Sequence, residues 1–267
     1  MRLMVTFRSL GTFSHDLRYF HKVHGFIYGL LRGTPYEVLH EKKGYKFFCF
    51  SNLFPLNVKN GVPQPVEKGE EKKLLISSPD RIFIRTVRER LEEFAREGEP
   101  VKIGEMRFTV EGLKEFKKAP GNLIAATPIV LRIPERRYRE YGIKNGKRGY
   151  VYWRPEHGLE PFLKQLEDNI FKKYAEFSGE TERFPVFEIL EFRGMRVCHL
   201  VIDGVEYRVI GSLWKFSFPG LRHDPEKRKL LSFAMDCGFG ERNTYGFGFV
   251  NPVRPSVARD RRPENVK

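Results

Sequence analysis

Alternating and helix-spaced apolar residues define the start of the chain. Apolar and polar residues alternate over residues 1–9, which predicts a β-strand. Apolar residues then recur every three or four positions, and this spacing predicts an amphipathic helix that ends before Gly33. Its apolar arc consists of Leu17, Phe20, Val23, His24, Ile27, Leu30 and Leu31. Tyr28 and His21 lie just outside this arc on one edge, where a side chain can face a cleft.

The remainder of the first 122 residues adds strands and a second helix. Strands are predicted at residues 45–54, 72–77 and 105–116. A loop rich in Pro, Gly and Lys separates the first two of them. Ser78 as an N-cap, followed by Pro79, predicts the start of the second helix, and Gly98 predicts its end. The order β-α-β-β-α-β is that of a ferredoxin-like domain.

The second half of the chain repeats this order of elements. Strands are predicted at residues 123–133, 149–153, 185–192, 196–202, 205–210 and 214–218. An amphipathic helix is predicted over residues 159–174, and Asp224 with Pro225 predicts the start of another. The dipeptide Asp203-Gly204 is typical of a type I′ hairpin turn.

These elements predict an α+β fold made of two tandem ferredoxin-like (RRM-like) β-α-β-β-α-β domains with antiparallel sheets. The domains are expected at residues 1–122 and 123–250, although no sequence repeat is visible between them. Residues 251–267 are rich in Pro and Arg, which predicts a basic, disordered tail.

Two Gly-Phe-Gly triplets lie near the C-terminus, within residues 238–248, which we call the glycine loop. Its glycines are Gly238, Gly240, Gly246 and Gly248, and Arg242 and Asn243 lie between the triplets. A helix-like run precedes the loop and a strand-like run at residues 245–250 ends it, the reverse of the order in a P-loop or a dinucleotide fingerprint. Outward-facing backbone N–H groups of such a loop can bind an anion. The alternative is a tight helix-to-strand connection whose glycines serve only the turns.

Composition and charge narrow the class of partner. Lys and Arg number 48 against 34 Asp and Glu, so the net charge is +14 and a polyanionic partner is expected, nucleic acid before an anionic membrane. The three cysteines form no CxxC pair, which indicates a reducing compartment and no zinc site. Since no apolar run reaches the ~20 residues of a membrane span, a soluble, cytoplasmic protein is expected. Scarce Gln beside abundant Lys, Arg and Glu is typical of a thermophile.

A basic stretch at residues 132–154 is interleaved with tyrosines and a tryptophan. Such a pattern suits an RNA-binding surface, because cations neutralise phosphates while aromatic rings stack on unpaired bases. The candidate RNA-binding residues here are Arg136, Arg137, Arg139, Lys147 and Arg148. The alternative is a charged surface loop beside one ordinary strand.

The Gly-Phe-Gly-x5-Gly-Phe-Gly pattern, after a helix and at the end of a second ferredoxin-like domain, resembles the repeat-associated (RAMP) RNA-binding superfamily of CRISPR systems. Within it, the chain is similar to the archaeal endoribonucleases that cut CRISPR repeat RNA into guide units. The likeness extends to Gly25-Phe26-Ile27-Tyr28, Leu39-His40-Glu41, Gly44-Tyr45-Lys46-Phe47-Phe48 and Thr127-Pro128-Ile129.

The resemblance implies a catalytic group of Tyr28, His40 and Lys46, with no metal or cofactor. It also implies that the glycine loop holds the RNA, with Arg242 and Asn243 directed toward the phosphate backbone. The implied partner is CRISPR repeat RNA, single-stranded or weakly structured, and effector-complex subunits are further candidates. A monomer and a homodimer both remain open, and no membrane partner is expected.

RNA can be cut without metal, because its own 2′-OH can attack the adjacent phosphate when a base, an acid and a positive charge are supplied. His40 is the expected base, Tyr28 the acid or orienting group, and Lys46 the stabiliser of the developing charge, although the roles of Tyr28 and His40 can be exchanged. The expected products carry 2′,3′-cyclic phosphate and 5′-OH ends. His21 is the nearest substitute for His40. Two alternatives remain, a non-catalytic RNA-binding subunit of an effector complex and a general RNA-binding module.

Overall fold

A five-stranded antiparallel sheet backed by two helices forms the N-terminal half. The computed structural model describes residues 1–14, 19–60, 62–144, 146–202 and 204–253, with Tyr19 and Ile202 described by their backbone alone. The elements are β1 (Arg2–Ser9), α1 (Tyr19–Leu31), β2 (Cys49–Phe50), β3 (Val58–Lys59), β4 (Val62–Pro63), β5 (Glu71–Ser77), α2 (Arg81–Glu97), β6 (Val101–Ile103) and β7 (Met106–Phe116). The strand order is β2-β5-β1-β7-β6, and β3 pairs separately with β4.

The C-terminal half has a four-stranded antiparallel sheet and two further helices. Its elements are β8 (Leu123–Ala125), β9 (Arg132–Pro134), β10 (Tyr150–Tyr152), α3 (Leu159–Ser178), β11 (Ile189–Ile202), β12 (Val205–Ser217), α4 (Pro225–Cys237) and β13 (Val250–Pro252). The strand order is β11-β12-β8-β13, while β9 and β10 form a hairpin of their own.

The predicted α+β class with antiparallel sheets is confirmed. In the C-terminal sheet the first strand, β8, lies between β12, which precedes α4, and β13, which follows it. In the N-terminal sheet β1 likewise lies between β5, which precedes α2, and β7, which follows α2 after the short edge strand β6. This is the strand order of a ferredoxin-like arrangement. That the halves are separate tandem domains remains a prediction.

Several predicted strands have different lengths in the structure. The strand expected at residues 45–54 contains only Cys49 and Phe50, because Phe47 adopts a left-handed conformation (φ 47°) that a strand cannot contain. The strand expected at residues 123–133 is divided between β8 and β9. Two long strands, β11 and β12, replace the three strands predicted over residues 185–210. The predicted gap between residues 192 and 196 lies inside β11, where the pairing register with β12 shifts between Phe192 and Gly194.

The helix starts were predicted with mixed success. Asp224 caps α4 as expected and accepts a hydrogen bond from Lys227 N at 2.8 Å. Ser78 is not the N-cap of α2, and that prediction was wrong. Asp80 fills the position and accepts from Ile82 N at 2.8 Å, while Ser78 Oγ accepts from Asp80 N and donates to Phe47 O.

The predicted disorder of the tail was wrong at its first residues. Asn251 and Pro252 belong to β13, where Asn251 is opposite Ile124 of β8. Residues 254–267 lie outside the described residues, as does Asp203 of the predicted hairpin turn. The predicted strand at residues 245–250 was also wrong, because residues 243–245 form a 3₁₀ turn and β13 begins only at Val250.

Buried contacts between the two halves position the glycine loop. Phe247 belongs to the N-terminal core, and its ring stacks on Phe20 of α1 with centroids 5.3 Å apart. The Arg2 guanidinium is buried and donates to the carbonyls of Met235 and Val250 at 3.0 and 2.7 Å. Since buried charged groups need such partners, these bonds hold the ends of α4 and β13 against β1.

Candidate active site

Tyr28, His40 and Lys46 come together at the C-terminal end of α1. Tyr28 lies in the last turns of this helix, His40 ends a short 3₁₀ turn (Glu37–His40), and Lys46 precedes β2. The Tyr28 and His40 rings meet nearly edge-on, with centroids 5.5 Å apart. Lys46 Nζ lies 5.4 Å from the centre of the Tyr28 ring and donates to His40 O at 3.4 Å. One acid–base residue, one hydroxyl and one cation therefore share one location.

The three side chains differ in their exposure to solvent. His40 is exposed, Lys46 is half-buried and Tyr28 is only 8% exposed. Burial, and next the neighbouring Tyr245, raise the pKa of Tyr28 well above its ordinary value, while Thr244 acts weakly in the opposite direction. Burial also lowers the pKa of Lys46.

The Tyr28 hydroxyl is enclosed and makes no hydrogen bond of normal geometry with a described residue, although the Thr244 side chain is close enough to affect its pKa. Buried hydroxyls normally have partners. The Thr244 side chain is therefore the nearest candidate partner of this hydroxyl.

His24 belongs to this group, although sequence reasoning assigned it to the apolar arc of α1. Its ring lies 4.5 Å from that of Tyr28 and stacks on Tyr245 at 4.1 Å, and its Nδ1 donates to Thr244 O at 2.7 Å. Burial lowers the pKa of His24 to about 4, although the bond to Thr244 acts in the opposite direction. His24 is therefore neutral at pH 7 and attaches α1 to the glycine loop. The four-residue spacing of His24 and Tyr28 could have indicated this.

His21, the expected substitute for His40, lies near the N-terminal end of α1. Its Nδ1 is buried and makes no hydrogen bond with a described residue, and its positive form would disfavour protonation of His24.

We name Tyr28, His24, His40 and Lys46 the Tyr28 cluster.

Six N–H groups of the glycine loop are bonded within the protein and are not free for an anion. The N–H groups of Gly238, Phe239, Glu241, Tyr245, Gly246 and Gly248 all donate to backbone carbonyls. The four loop glycines are themselves buried. Most donors of the supposed anion site are therefore already occupied.

Two buried side chains hold the loop together from inside. Lys173 Nζ, on α3, donates to the carbonyls of Gly238 and Gly240 at 3.0 and 2.5 Å and to Asn243 Oδ1 at 2.6 Å. Asn243 Nδ2 donates to Phe239 O and Phe247 O at 3.0 and 2.9 Å. Since both amide hydrogens of Asn243 are bonded inside the loop, its role as an RNA contact would require it to give up one of these bonds and remains a prediction.

A cavity of about 540 Å³ adjoins the Tyr28 cluster. Its walls are residues 44–48, one face of α3 and the glycine loop, from which Arg242 faces the cavity. Lys46, a member of the Tyr28 cluster, lines this cavity, as does Tyr245, whose ring stacks on His24. A ligand in the cavity would therefore contact the Tyr28 cluster through Lys46.

The cations predicted to bind RNA at residues 132–154 fall into two groups, those without an acidic partner and those that are paired with one. Arg136, Arg139, Lys147 and Arg148 are exposed and have no ion-pair partner among the described residues. Arg137 instead donates to Asp168 and to the Tyr141 hydroxyl, each at 3.0 Å, so its guanidinium is largely committed within the protein. The glycine loop reaches this region through an ion pair between Glu241 and Arg132.

Within the described ranges, no group of three or more His, Cys, Asp or Glu residues is placed to hold a metal ion. None of the helices in those ranges is both long and apolar enough to cross a membrane.

Comparisons with known proteins are consistent with this geometry. The family model for CRISPR associated protein Cas6, C-terminal, matches residues 111–252. The chain is 35% identical over 263 residues to CRISPR-associated endoribonuclease Cas6 2 of Methanocaldococcus jannaschii, covering 95% of this chain and 100% of that protein. It is 28% identical over 268 residues to CRISPR-associated endoribonuclease Cas6 of Haloferax mediterranei, covering 95% and 94%. A solved structure described as CRISPR associated protein Cas6 has the same fold, with a TM-score of 0.70 and 23% identity over 95% of this chain and 99% of that one.

Proposed function

Because the chain belongs to the Cas6 family of CRISPR-associated proteins, we propose that it is an endoribonuclease that cuts CRISPR repeat RNA in precursor transcripts to release guide RNAs. The observation that carries the proposal is the meeting of Tyr28, His40 and Lys46, which come from three separate segments. The relatives from Methanocaldococcus jannaschii and Haloferax mediterranei, both named endoribonucleases, support the activity.

The reaction is a metal-independent transesterification. His40 removes the proton of a 2′-OH, and the resulting oxygen attacks the adjacent phosphorus. As the bond to the 5′-oxygen breaks, that oxygen receives a proton, and Lys46 stabilises the negative charge on the phosphorane. The products carry a 2′,3′-cyclic phosphate and a 5′-OH.

The raised pKa of Tyr28 bears on its role. A phenol that keeps its proton is a hydrogen-bond donor at neutral pH and a poor base. This favours Tyr28 as a hydrogen-bond donor that orients the phosphate or the 5′-oxygen. It argues against the exchanged assignment, in which Tyr28 would be the base and His40 the acid.

The RNA is proposed to run from the Tyr28 cluster across the cavity to the basic surface. Arg242 and the exposed Arg136, Arg139, Lys147 and Arg148 are the proposed phosphate contacts.

We also propose that the two halves are tandem ferredoxin-like domains. The buried loop glycines are proposed to act on RNA only indirectly, by shaping the loop between those halves. The free cysteines suit a reducing cytoplasm.

The proposal is tested with an RNA that carries two copies of the CRISPR repeat from the source genome, incubated with the protein in EDTA. Discrete cleavage is expected. A 2′-deoxy nucleotide on the 5′ side of the scissile bond should abolish it without loss of binding, because the attacking group is gone. His40→Ala should slow single-turnover cleavage by about 10²–10⁴-fold, the usual contribution of a general acid–base residue.

His199→Ala is the matched control, because His199 is an exposed histidine on the β11–β12 hairpin that bonds Glu206. It should cut at the rate of the unmodified protein. Unchanged cleavage by His40→Ala would exclude the assignment of the base. Tight repeat binding by the wild type without any product would instead indicate a non-catalytic RNA-binding subunit.

A further inference from the structure

Three side chains of α1 meet the glycine loop at intervals of one helical turn. Phe20, His24 and Tyr28 are four residues apart, so they lie on one face of the helix. Phe20 stacks on Phe247 with ring centroids 5.3 Å apart, and the His24 ring is nearly parallel to that of Tyr245, at 4.1 Å and 5°. The candidate catalytic tyrosine is therefore the last residue of a helix face that docks on the glycine loop.

His24 supplies a polar contact on this helix face. Its Nδ1 lies 2.7 Å from Thr244 O, and because a carbonyl oxygen can only accept a hydrogen bond, Nδ1 carries the proton of the neutral ring. The same ring lies 4.5 Å from that of Tyr28. His24 thus contacts the glycine loop on one side and Tyr28 on the other.

The part of the loop that His24 contacts is held from the C-terminal half. Asn243 begins the 3₁₀ turn at residues 243–245, and its Oδ1 accepts from Lys173 Nζ of α3 at 2.6 Å. The carbonyl that accepts from α1 belongs to Thr244, the next residue of this turn, whose side chain also approaches the Tyr28 hydroxyl. A chain of hydrogen bonds therefore leads from α3 through the turn to α1, one helical turn from the hydroxyl that the site needs.

We propose that His24 is a positioning residue for RNA cleavage, which holds the turn of the glycine loop against α1 and thereby fixes the Tyr28 ring beside His40. The inference rests on the proposed function, since it assigns a further residue to the same site. His24 takes no part in proton transfer, because its Nδ1–H is committed to Thr244 O. Without this bond the Thr244 carbonyl would face a ring that has no donor, and the turn would move away from Tyr28.

Two replacements of His24 separate its ring from its hydrogen-bond donor. His24→Phe keeps a ring between the two tyrosines and removes the donor, whereas His24→Asn removes the ring and keeps an N–H donor at the Nδ1 position. The single-turnover rate constant for cleavage of repeat RNA is measured with the protein in saturating excess, so that it does not depend on the fraction of folded protein.

His24→Phe should lower this rate constant by about 10- to 100-fold, the effect of a small misplacement at a catalytic site, and change the affinity for RNA by less than about threefold. His24→Asn should recover the rate constant to within about fivefold of the wild type. His199→Phe is the control, because His199 is exposed on the β11–β12 hairpin, and it should cut at the wild-type rate.

A double-mutant cycle shows whether His24 acts through Tyr28. In the Tyr28→Phe background, His24→Phe should lower the rate constant by less than about threefold, because the hydroxyl that His24 positions is already gone. Equal losses in both backgrounds, or wild-type cleavage by His24→Phe, would overturn the positioning role and leave the proposed nuclease intact. A loss of RNA affinity as large as the loss of rate would overturn it as well.

Should the wild type cut no RNA, crystal structures of the wild type and the two variants decide, because they require no activity. The Tyr28 hydroxyl should be displaced by about 1 Å or more in His24→Phe and should keep its place in His24→Asn. An undisplaced hydroxyl in His24→Phe would overturn the positioning role. A displaced one would support it, and the absence of cleavage would then contradict the proposed function alone.

Discussion

A single imidazole shows how the site depends on its surroundings. The His24 ring is half-buried between Tyr28 and Tyr245, and this burial lowers its pKa to about 4, so His24 is neutral at pH 7 although its hydrogen bond to Thr244 O acts in the opposite direction. It therefore packs beside Lys46 without adding a positive charge to the Tyr28 cluster. His40, on the exposed side of Tyr28, is the histidine that remains available to exchange a proton with substrate.

His24 should make folding sensitive to acid. Its pKa is about 4 in the folded protein and ordinarily 6.5, so the unfolded chain binds more protons between these values. The free energy of unfolding should thus fall as the pH drops from 6.5 to 4, by up to about 3 kcal/mol from this residue. In urea denaturation at pH 7.5 and pH 4, His24→Gln should show that much less pH dependence than the wild type. A variant as pH-dependent as the wild type would disprove the assignment, and His199→Gln is the exposed control.

At the scale of elements, the glycine loop acts as a packed connection between the halves. Its carbonyls bind Lys173, its Asn243 amide crosslinks the two triplets, and Phe247 inserts into the N-terminal core. The close approach of Gly248 to Phe239 allows no side chain, since a Cβ there would lie 1.8 Å from Phe239 O. The doubled glycine pattern is therefore required by packing.

Gly248→Ala should destabilise the protein by at least about 3 kcal/mol, because it combines a positive φ of 72° with that overlap. Gly220→Ala separates the two effects. Gly220 has a similar φ of 74° but open space around it, and its replacement should cost about 1 kcal/mol. Chemical denaturation measures both. Equal losses would mean that backbone conformation alone, and not packing, requires glycine in the loop.

For the whole molecule, the net charge of +14 is divided between structural and available cations. Lys173 and Arg2 are buried, and Arg137 and Arg132 are held by acidic partners. The exposed cations near the β9–β10 hairpin have no such partners among the described residues and are free to neutralise phosphates. Affinity for RNA should therefore depend on a small part of the total charge.

Replacing Arg136, Arg139, Lys147 and Arg148 together by alanine should lower the salt dependence of RNA binding. Each lost phosphate contact reduces the slope of log K against log salt by ~0.7, so the four should reduce it by about 3. Titrations of uncleavable 2′-deoxy repeat RNA over a range of KCl concentrations measure the slope. Arg137→Ala, which removes an occupied cation, should leave the slope unchanged. An unaltered slope in the fourfold variant would mean that RNA follows another path.

Much of this protein was determined by local sequence. The four helices, the antiparallel α+β class and the cap at Asp224 follow from residue spacing and side-chain chemistry that act within a few positions. The expected group of Tyr28, His40 and Lys46 likewise depended on motifs along the chain, and their residues lie together in the fold. Whether they catalyse remains a prediction.

Other features were decided only by tertiary structure. Lys173 meets Asn243 from 70 positions away, and this contact makes Asn243 an internal crosslink of the glycine loop. Burial among residues distant in the chain makes His24 neutral and encloses the Tyr28 hydroxyl. Desolvation and long-range hydrogen bonding depend on which surfaces meet, and the local pattern of residues does not encode that.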